Sequence, residues 1–153
     1  MEEITRERAE YLAEAFRSAF VEHCGIRAET IRRGYLESRM EVGPQHLQQD
    51  GVVHAGAIST MADHSAGYAA FTVIPETYQL FTVEYKINFF RPARGSSLVC
   101  RSRVLKEGRR ILIAESEVYD QLQGQEAIAA KAMVTLTAVH QDRMREKVQP
   151  EPS

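Results

Sequence analysis

A single carboxylate lies in a long, nearly uncharged stretch of the chain. Residues 54–72 contain one acidic residue, Asp63, and no Lys or Arg occurs between positions 51 and 85. A buried carboxylate without a cationic partner is energetically costly. Asp63 therefore either hydrogen-bonds a group inside the core or performs acid–base or nucleophilic chemistry.

The segment before Asp63 is suited to binding a polarised carbonyl group. Residues 48–56 lead into a predicted helix, whose N-terminus presents unpaired N–H groups and the positive end of the helix dipole. Both features stabilise a developing oxyanion. Gly56 lets a ligand carbonyl come close to the backbone, and the side chains of His54 and Gln48 add donors nearby. A carboxylate beside an electrophilic helix end predicts carbonyl chemistry.

The spacing of these two features predicts a site built from two chains. Gly56 and Asp63 are separated by roughly 10 Å along a helix that rises ~1.5 Å per residue. A reacting carbonyl lies about 3 Å from each group that acts on it, so one carbonyl cannot contact both residues of one helix. Antiparallel pairing of this helix from two chains brings the N-terminus of one to the middle of the other. If both groups are used, we expect a homodimer with two equivalent shared sites.

The histidines and cysteines indicate neither a metal centre nor a disulfide. His64 follows Asp63, but helical neighbours point about 100° apart, so we expect His64 to serve packing or the dimer interface. The remaining members have no metal-ligand spacing and no CxxC arrangement; they are His23, His46, His140, Cys24 and Cys100. No metal and no cofactor are predicted.

Hydrophobic periodicity predicts one α+β domain. An amphipathic helix is expected over residues 4–22, and a helix that is buried on every side over residues 54–72. Alternating apolar and polar residues predict strands over residues 26–33, 36–42, 81–89, 98–105, 111–119 and 127–139. Short turns between the long strands imply an antiparallel meander. The prediction is a curved antiparallel sheet of five or six strands around one long helix, in a domain of residues 1–140 with a charged tail over 141–153.

Composition argues against two classes of partner. The net charge is −2 and the sequence pI is near 6.2, so no global field attracts nucleic acid or an anionic membrane. No stretch approaches the roughly 18 apolar residues of a membrane span, and the charged first residues do not read as a signal peptide. A cytoplasmic location is expected.

The motifs resemble those of the hotdog-fold thioesterases. The pattern His54-x-Gly56-(x)6-Asp63, with Gln48 six residues before His54, is similar to the phenylacetate-pathway and 4-hydroxybenzoyl-CoA thioesterase-like branch. The strand over residues 81–93 and Gly108-Arg109 in a later turn carry the same resemblance. It implies a hotdog fold, acyl-CoA thioester hydrolysis, and a homodimer that pairs into tetramers in many members.

The resemblance also implies roles for individual residues. Asp63 would be the nucleophile or the general base that activates water. The N–H group of Ala55, with that of Gly56, would polarise the thioester carbonyl, and His54 would orient this loop or the leaving thiolate. Thr82 falls where the family has a Ser or Thr that positions water, although alternation with Glu84 and Lys86 also fits a solvated strand face.

Three further points depend on the resemblance. Gln48 stands where many members have Asn, and Ala55 where many have Gly. Basic residues around two turns are either bare surface charge or partners for the phosphates of coenzyme A, with Arg91 and Arg110 as the candidates. The small residues of the 54–72 helix are expected to leave space for a medium acyl chain or an aromatic ring alike.

Two other functions stay open on the sequence alone. A hotdog dehydratase or hydratase would need a His and an acidic residue as an acid–base pair, and the Pro-rich approach to the helix found in those enzymes is absent here. A non-catalytic acyl-CoA-binding module would keep the pocket without turnover. Retention of Asp63 disfavours the binding module, because a buried carboxylate facing a thioester is costly without chemistry to perform.

Overall fold

The computed structural model of the protein describes residues 3–146 as one sheet curved around one long helix. The six strands are β1 (Ile26–Arg32), β2 (Tyr35–Glu41), β3 (Tyr78–Phe89), β4 (Ser97–Glu107), β5 (Ile111–Leu122) and β6 (Gln125–His140). All neighbours pair antiparallel, in the order β1-β2-β4-β5-β6-β3. This architecture confirms the predicted α+β hotdog fold.

The central helix α3 (Ala55–Phe71) packs on the concave face of the sheet through small side chains. Four alanines are fully buried against the strands: Ala62, Ala66, Ala69 and Ala70. Alanine at these positions lets the helix lie close to the sheet, while Ile58 and Met61 fill the wider gaps near its start. The sheet itself therefore occupies the space that the sequence analysis assigned to an acyl group beside these alanines.

Buried hydroxyl groups fix the position of α3 on the sheet. Ser65 is hydrogen-bonded to Ser38 of β2, with 2.7 Å between the two Oγ atoms. Ser116 of β5 donates to the carbonyl oxygen of Ala62 at 2.7 Å and contacts Ser102 of β4 at 2.7 Å. Each of these hydroxyl groups has a hydrogen-bond partner, so its burial avoids the free-energy cost of an unpaired polar group.

One stripe of α3 is not covered by the protein's own sheet. Ser59, Thr60, Asp63 and Gly67 are half-buried, and Gly56 is exposed. The prediction that this helix is buried on every side is therefore wrong for a single chain. Residues at i, i+3, i+4, i+7 and i+11 share one helical face, so these side chains form a continuous uncovered strip.

The strand β3 lies at an edge of the sheet instead of beside β4. The strands β4, β5 and β6 form the predicted meander, but β3 pairs with β6. Both sides of β4 are occupied by β2 and β5, so the connection after β3 crosses to the other half of the sheet. The opposite edge is β1, whose pairing is interrupted by a bulge between Ala28 and Thr30.

The N-terminal region forms two helices, so the prediction of one helix over residues 4–22 is wrong. They are α1 (Arg6–Phe16) and α2 (Ala19–His23). The chain turns between them, and Ala19 has a φ of +32°. This break lets Phe16 bury itself under α3 while α2 turns Val21 inward and leaves Phe20 exposed.

The C-terminal part of the described chain is a short helix, α4 (Gln141–Glu146). This helix consists of the first residues of the tail predicted over 141–153, and positions 147–153 lie outside the described residues. No helix within residues 3–146 has the length and apolar character needed to cross a membrane.

Packing along α3 gives opposite expectations for two neighbouring positions. An added Cβ at Gly67 meets nothing within 4 Å, so Gly67→Ala should raise the free energy of unfolding by about 0.5–1 kcal/mol through helix propensity. Ala66 is fully buried, so Ala66→Leu should lower it by about 1–3 kcal/mol through overpacking. Urea unfolding of both variants beside the wild type measures the two changes. Equal effects at the two positions would contradict the described orientation of α3.

Candidate active site

The carboxylate of Asp63 is hydrogen-bonded by a hydroxyl group from the edge strand. Thr82 Oγ1 donates to Asp63 Oδ1 at 2.8 Å. The second carboxylate oxygen, Oδ2, accepts no hydrogen bond from any residue between 3 and 146. The hydroxyl group therefore holds the carboxylate in one orientation while one oxygen stays open to a ligand or a water molecule.

A β-bulge in β3 places Thr82 on this face. Thr82 pairs with Leu136 and Glu84 with Thr135, so Val83 is an extra residue in β3. A bulge changes the alternation of side chains along a strand. Thr82 consequently faces the helix while Glu84 contacts Thr135 on the outer face, with 3.3 Å between Thr135 Oγ1 and Glu84 Oε1. Thr82 therefore does not share the outer face of Glu84 and Lys86, although its side chain is exposed in a single chain.

The uncovered strip of α3 forms the floor of an open cleft of about 430 Å³. Gly56 lies at one end of this floor and Asp63 at the other. The walls come from Tyr85 of β3 and from Phe20 and Val21 of α2. The cleft thus combines a carboxylate, a helix N-terminus and two aromatic rings. Both rings are open to solvent: Phe20 is 64% exposed and Tyr85 is 43% exposed.

The two aromatic walls of this cleft were not predicted from the sequence. Tyr85 reaches the helix side of β3 only because the bulge at Val83 brings Thr82 and Tyr85 to the same face. Phe20 reaches the cleft only because the N-terminal segment breaks before α2. The apolar character of both residues was visible in the sequence, but neither the bulge nor the helix break was predicted.

Burial shifts the pKa values of Asp63 and His64 in opposite directions. Burial raises the pKa of Asp63 above its ordinary 3.8, and the hydrogen bond from Thr82 and the nearby His64 oppose this shift only in part. Burial lowers the pKa of His64 below 6.5, against the effects of its contacts with the Phe16 carbonyl and Asp63. A carboxylate with a raised pKa is a better proton acceptor than a free one.

His64 also lines the cleft next to Asp63, but its ring is held by contacts with α1 and with Tyr68. Its Nε2 contacts the carbonyl oxygen of Phe16 at 3.0 Å, and its ring lies 4.5 Å from the Phe16 ring and 4.8 Å from the Tyr68 ring. Because the imidazole is neutral at ordinary pH, Nε2 is the donor of this bond. The contact fixes the end of α1 on α3, as the packing interpretation of His64 predicted.

The N-terminus of α3 has one capped and one open N–H group. His54 is the N-cap, and its Nδ1 accepts a hydrogen bond from Gly56 N at 2.8 Å. Ala55 N donates to no acceptor within the described part of the chain, and Ala55 is exposed. Of the two predicted carbonyl-polarising groups, Ala55 N–H is therefore the one available to a ligand, while His54 rigidifies the turn.

The loop before α3 is held by buried hydrogen bonds. His46 accepts from Gly43 N at 2.8 Å and contacts the Cys24 carbonyl oxygen at 2.8 Å. The N–H group of His54 donates to the His46 carbonyl oxygen at 2.7 Å. His46 was not singled out in the sequence, because a structural histidine has no spacing signature. The side chain of Gln48 was predicted to donate near the ligand carbonyl; its Nε2 donates to Asp50 Oδ2 at 3.1 Å.

The two predicted phosphate-binding arginines lie far apart in one chain. Arg91 follows the end of β3 and its backbone contacts Ala129, whereas the Arg110 carbonyl oxygen accepts from Ala138 N. Positions 129 and 138 of β6 are separated by roughly 30 Å at ~3.3 Å per residue. One chain therefore does not bring the two side chains together, and a role of either arginine in binding the phosphates of coenzyme A stays a prediction.

No group of three or more His, Cys, Asp or Glu residues that could hold a metal ion occurs in the described part of the chain. The two cysteines are free thiols, and Cys100 is buried beside Ser102 at 3.5 Å.

Comparison with known proteins identifies the family. Residues 50–127 match the family described as the Thioesterase superfamily. This range contains His54, Asp63 and Thr82. The chain belongs to the thioesterase superfamily.

Several solved structures superpose on the chain over most of its length. A thioesterase family protein from Silicibacter pomeroyi is 34% identical, with a TM-score of 0.84 over 87% of this chain and 98% of that one. The conserved protein PA5202 from Pseudomonas aeruginosa is 30% identical, with a TM-score of 0.74 over 88% and 99%. The PaaI protein from the phenylacetic acid degradation operon of E. coli shares the fold, at 20% identity and a TM-score of 0.77 over 87% and 94%. Membership in the superfamily supports thioester hydrolysis as the general reaction.

Ionised Asp63 is expected to destabilise the fold. Burial raises its pKa in the folded state, so the stability contributed by its protonated form is present below the ordinary pKa of 3.8 and is lost as pH rises through the folded-state value. Asp63→Asn should therefore have a higher free energy of unfolding than the wild type at pH 7, and the difference should shrink toward pH 3.5. Urea unfolding at both pH values, at one protein concentration, measures this. A difference that does not change with pH would contradict the assignment.

Proposed function

We propose that this chain hydrolyses acyl-CoA thioesters to a free acid and coenzyme A, with Asp63 as the nucleophile or general base. The observation that carries the proposal is the contact between Asp63 and Thr82 within the cleft, at 2.8 Å. It presents an oriented carboxylate with a raised pKa and one open oxygen. We also place the chain in the phenylacetate-pathway and 4-hydroxybenzoyl-CoA thioesterase-like branch, on the motif that joins His54, Gly56 and Asp63.

Two routes for hydrolysis use the same groups. In the first, Asp63 accepts a proton from water, the oxygen attacks the thioester carbon, and the C–S bond breaks to release the thiolate. In the second, a carboxylate oxygen of Asp63 attacks the same carbon and expels the thiolate, and water then hydrolyses the mixed anhydride. In both routes the Ala55 N–H group would stabilise the oxyanion, because it lies at the positive end of α3.

The proposed site is shared between two copies of the chain. Ala55 and Asp63 are roughly 12 Å apart along α3 at ~1.5 Å per residue, so one carbonyl cannot contact both in one helix. The edge strand β3 carries Thr82 and exposes large apolar side chains; they are Phe81, Val83, Tyr85 and Phe89. A long, exposed, apolar edge strand is suited to pairing with another strand. Antiparallel pairing of two β3 strands would join the two sheets and bring their uncovered strips together.

Hydrolysis is tested by release of free thiol from short, medium, long and aromatic acyl-CoAs. Asp63→Asn should lower kcat by about 10²–10⁴-fold on every substrate that the wild type uses, because the proton acceptor or nucleophile is lost. Glu29→Gln, on the far edge strand β1, is the matched control for removal of a carboxylate charge and should keep full activity. Tight binding of acyl-CoA by the wild type without turnover would replace the proposal by a binding function.

The shared site is tested by complementation between two inactive variants. Ala55→Pro removes the open N–H group at the first helical position, where proline is tolerated, and should lower kcat by about 10²–10³-fold. Ala55→Gly keeps the N–H group and should stay active. Refolding equal amounts of Asp63→Asn and Ala55→Pro chains together would give mixed dimers with one intact site each.

The mixture should recover roughly a quarter of the wild-type activity, because half of randomly paired dimers are mixed and each has one of two sites. If the mixture shows only the mean activity of the two inactive variants, the Ala55 N–H group and the Asp63 carboxylate act within one chain.

A further inference from the structure

Asp120 carries a second buried carboxylate, which the proposed chemistry does not use. It lies near the end of β5 and is 4% exposed. A buried carboxylate is costly unless hydrogen-bond donors meet its oxygens. Two successive backbone groups do so: Arg94 N donates to Oδ2 at 2.9 Å, and Gly95 N donates to Oδ1 at 2.8 Å. Both donors belong to the segment between β3 and β4, residues 90–96, which we call the β3–β4 loop.

The β3–β4 loop is held against the end of β5. Beside the two groups bound by Asp120, Ser96 N donates to the carbonyl oxygen of Gln121 at 3.2 Å. A Cβ atom on Gly95 would collide with the same carbonyl oxygen, so the loop approaches β5 as closely as only glycine permits. Three consecutive N–H groups, those of residues 94–96, are therefore fixed by two neighbouring residues of β5.

The same loop contacts the residues that lead into α3. Ala93 is buried, and its carbonyl oxygen accepts a hydrogen bond from Val53 N at 3.0 Å. Val53 precedes His54, the N-cap of α3, whose own N–H group donates to the His46 carbonyl oxygen. Two successive N–H groups thus anchor the chain directly before Ala55. A displacement of the β3–β4 loop would therefore displace the N-terminus of α3.

We propose that Asp120 is a positioning residue for the Ala55 N–H group. Its carboxylate fixes the β3–β4 loop, and the Ala93 carbonyl of that loop fixes Val53, two residues before Ala55. An aspartate suits this task because its carboxylate accepts with both oxygens and donates with neither. A preorganised donor stabilises an oxyanion only while its position is held. The inference rests on the proposed function, in which the Ala55 N–H group stabilises the oxyanion.

The first test is Asp120→Asn, which keeps the shape of the side chain but replaces one acceptor oxygen by an NH₂ donor that faces a backbone N–H group. Because the loop loses one of its two bonds to this side chain, kcat for acyl-CoA hydrolysis should fall at least about tenfold. KM should change by less than about twofold, since the Ala55 N–H group acts on charge that develops in the transition state. Circular dichroism and urea unfolding check that the variant folds.

Thr72→Val is the matched control at the other end of α3. The Thr72 hydroxyl oxygen accepts a hydrogen bond from Gly34 N at 2.6 Å, so this variant also deprives a backbone N–H group of its side-chain acceptor. It should keep the wild-type kcat and KM. Gly95→Ala moves the β3–β4 loop without changing Asp120 and should reproduce the fall in kcat. An unchanged kcat in Asp120→Asn, or an equal loss in Thr72→Val, would overturn the proposal.

A double variant shows whether Asp120 acts through Ala55. Ala55→Pro has no N–H group at this position, so adding Asp120→Asn to it should lower kcat no further. In the wild-type background the same substitution should cost the full tenfold. Equal losses in the two backgrounds would mean that Asp120 affects activity by another route, and would refute the assignment.

Amide hydrogen exchange, followed by NMR, separates this inference from the proposed function. In Asp120→Asn the N–H groups of Val53 and His54 should exchange at least about tenfold faster than in the wild type, relative to the amides that pair β3 with β6. Thr72→Val should leave them unchanged. If the wild type hydrolyses no thioester, the proposed function fails, and faster local exchange would still support the link from Asp120 to α3. Unchanged exchange at both residues would overturn that link.

Discussion

Close packing of a helix made of small residues against a curved sheet is the constraint on which the rest of the structure depends. The fully buried alanines of α3 let the strands approach, and the hydroxyl groups of Ser65 and Ser116 fix where along the sheet the helix lies. Because these alanines are fully buried against the strands, a ligand has no space between them and the sheet, and the open cleft lies on another side of the helix. That side carries Asp63.

The same constraint accounts for our proposal that a single chain provides only part of a site. One sheet can wrap one side of α3, and α1 covers a further part through Phe16. The remaining strip, from Gly56 to Gly67, carries both the carboxylate and the helix N-terminus, yet the two are separated along the helix axis. A second copy of the chain would complete two sites at once. A two-fold axis would place the N-terminus of one α3 beside Asp63 of the other, and the reverse.

Some of this could be predicted from the sequence and some could not. Asp63 was predicted as a site residue because one carboxylate in an uncharged helix needs an explanation, and that signal does not depend on tertiary structure. The extents of α3 and of β2 followed from a long, nearly uncharged stretch and from alternation of apolar and polar residues, which are local signals. The bulge at Val83 and the break before Ala19 have no comparable signature: each residue type there suits a regular element, and tertiary packing decides the conformation. The wrong placement of β3 has the same origin, because strand order depends on which edges are already occupied.

The two edges of the sheet differ in a way that limits how far it can extend. The edge strand β1 is seven residues long, is broken by a bulge after Ala28, and presents charged side chains such as Arg27. These features disfavour the docking of another strand. The opposite edge, β3, also has a bulge and carries the charged Glu84 and Lys86, but it is twelve residues long and exposes several large apolar side chains; they are Phe81, Val83, Tyr85 and Phe89. If both edge strands could pair with strands of other chains, chains would add repeatedly and form fibres. If two β3 strands pair as we propose, each chain would use its one pairing edge in that contact, and the sheet would not extend beyond two chains.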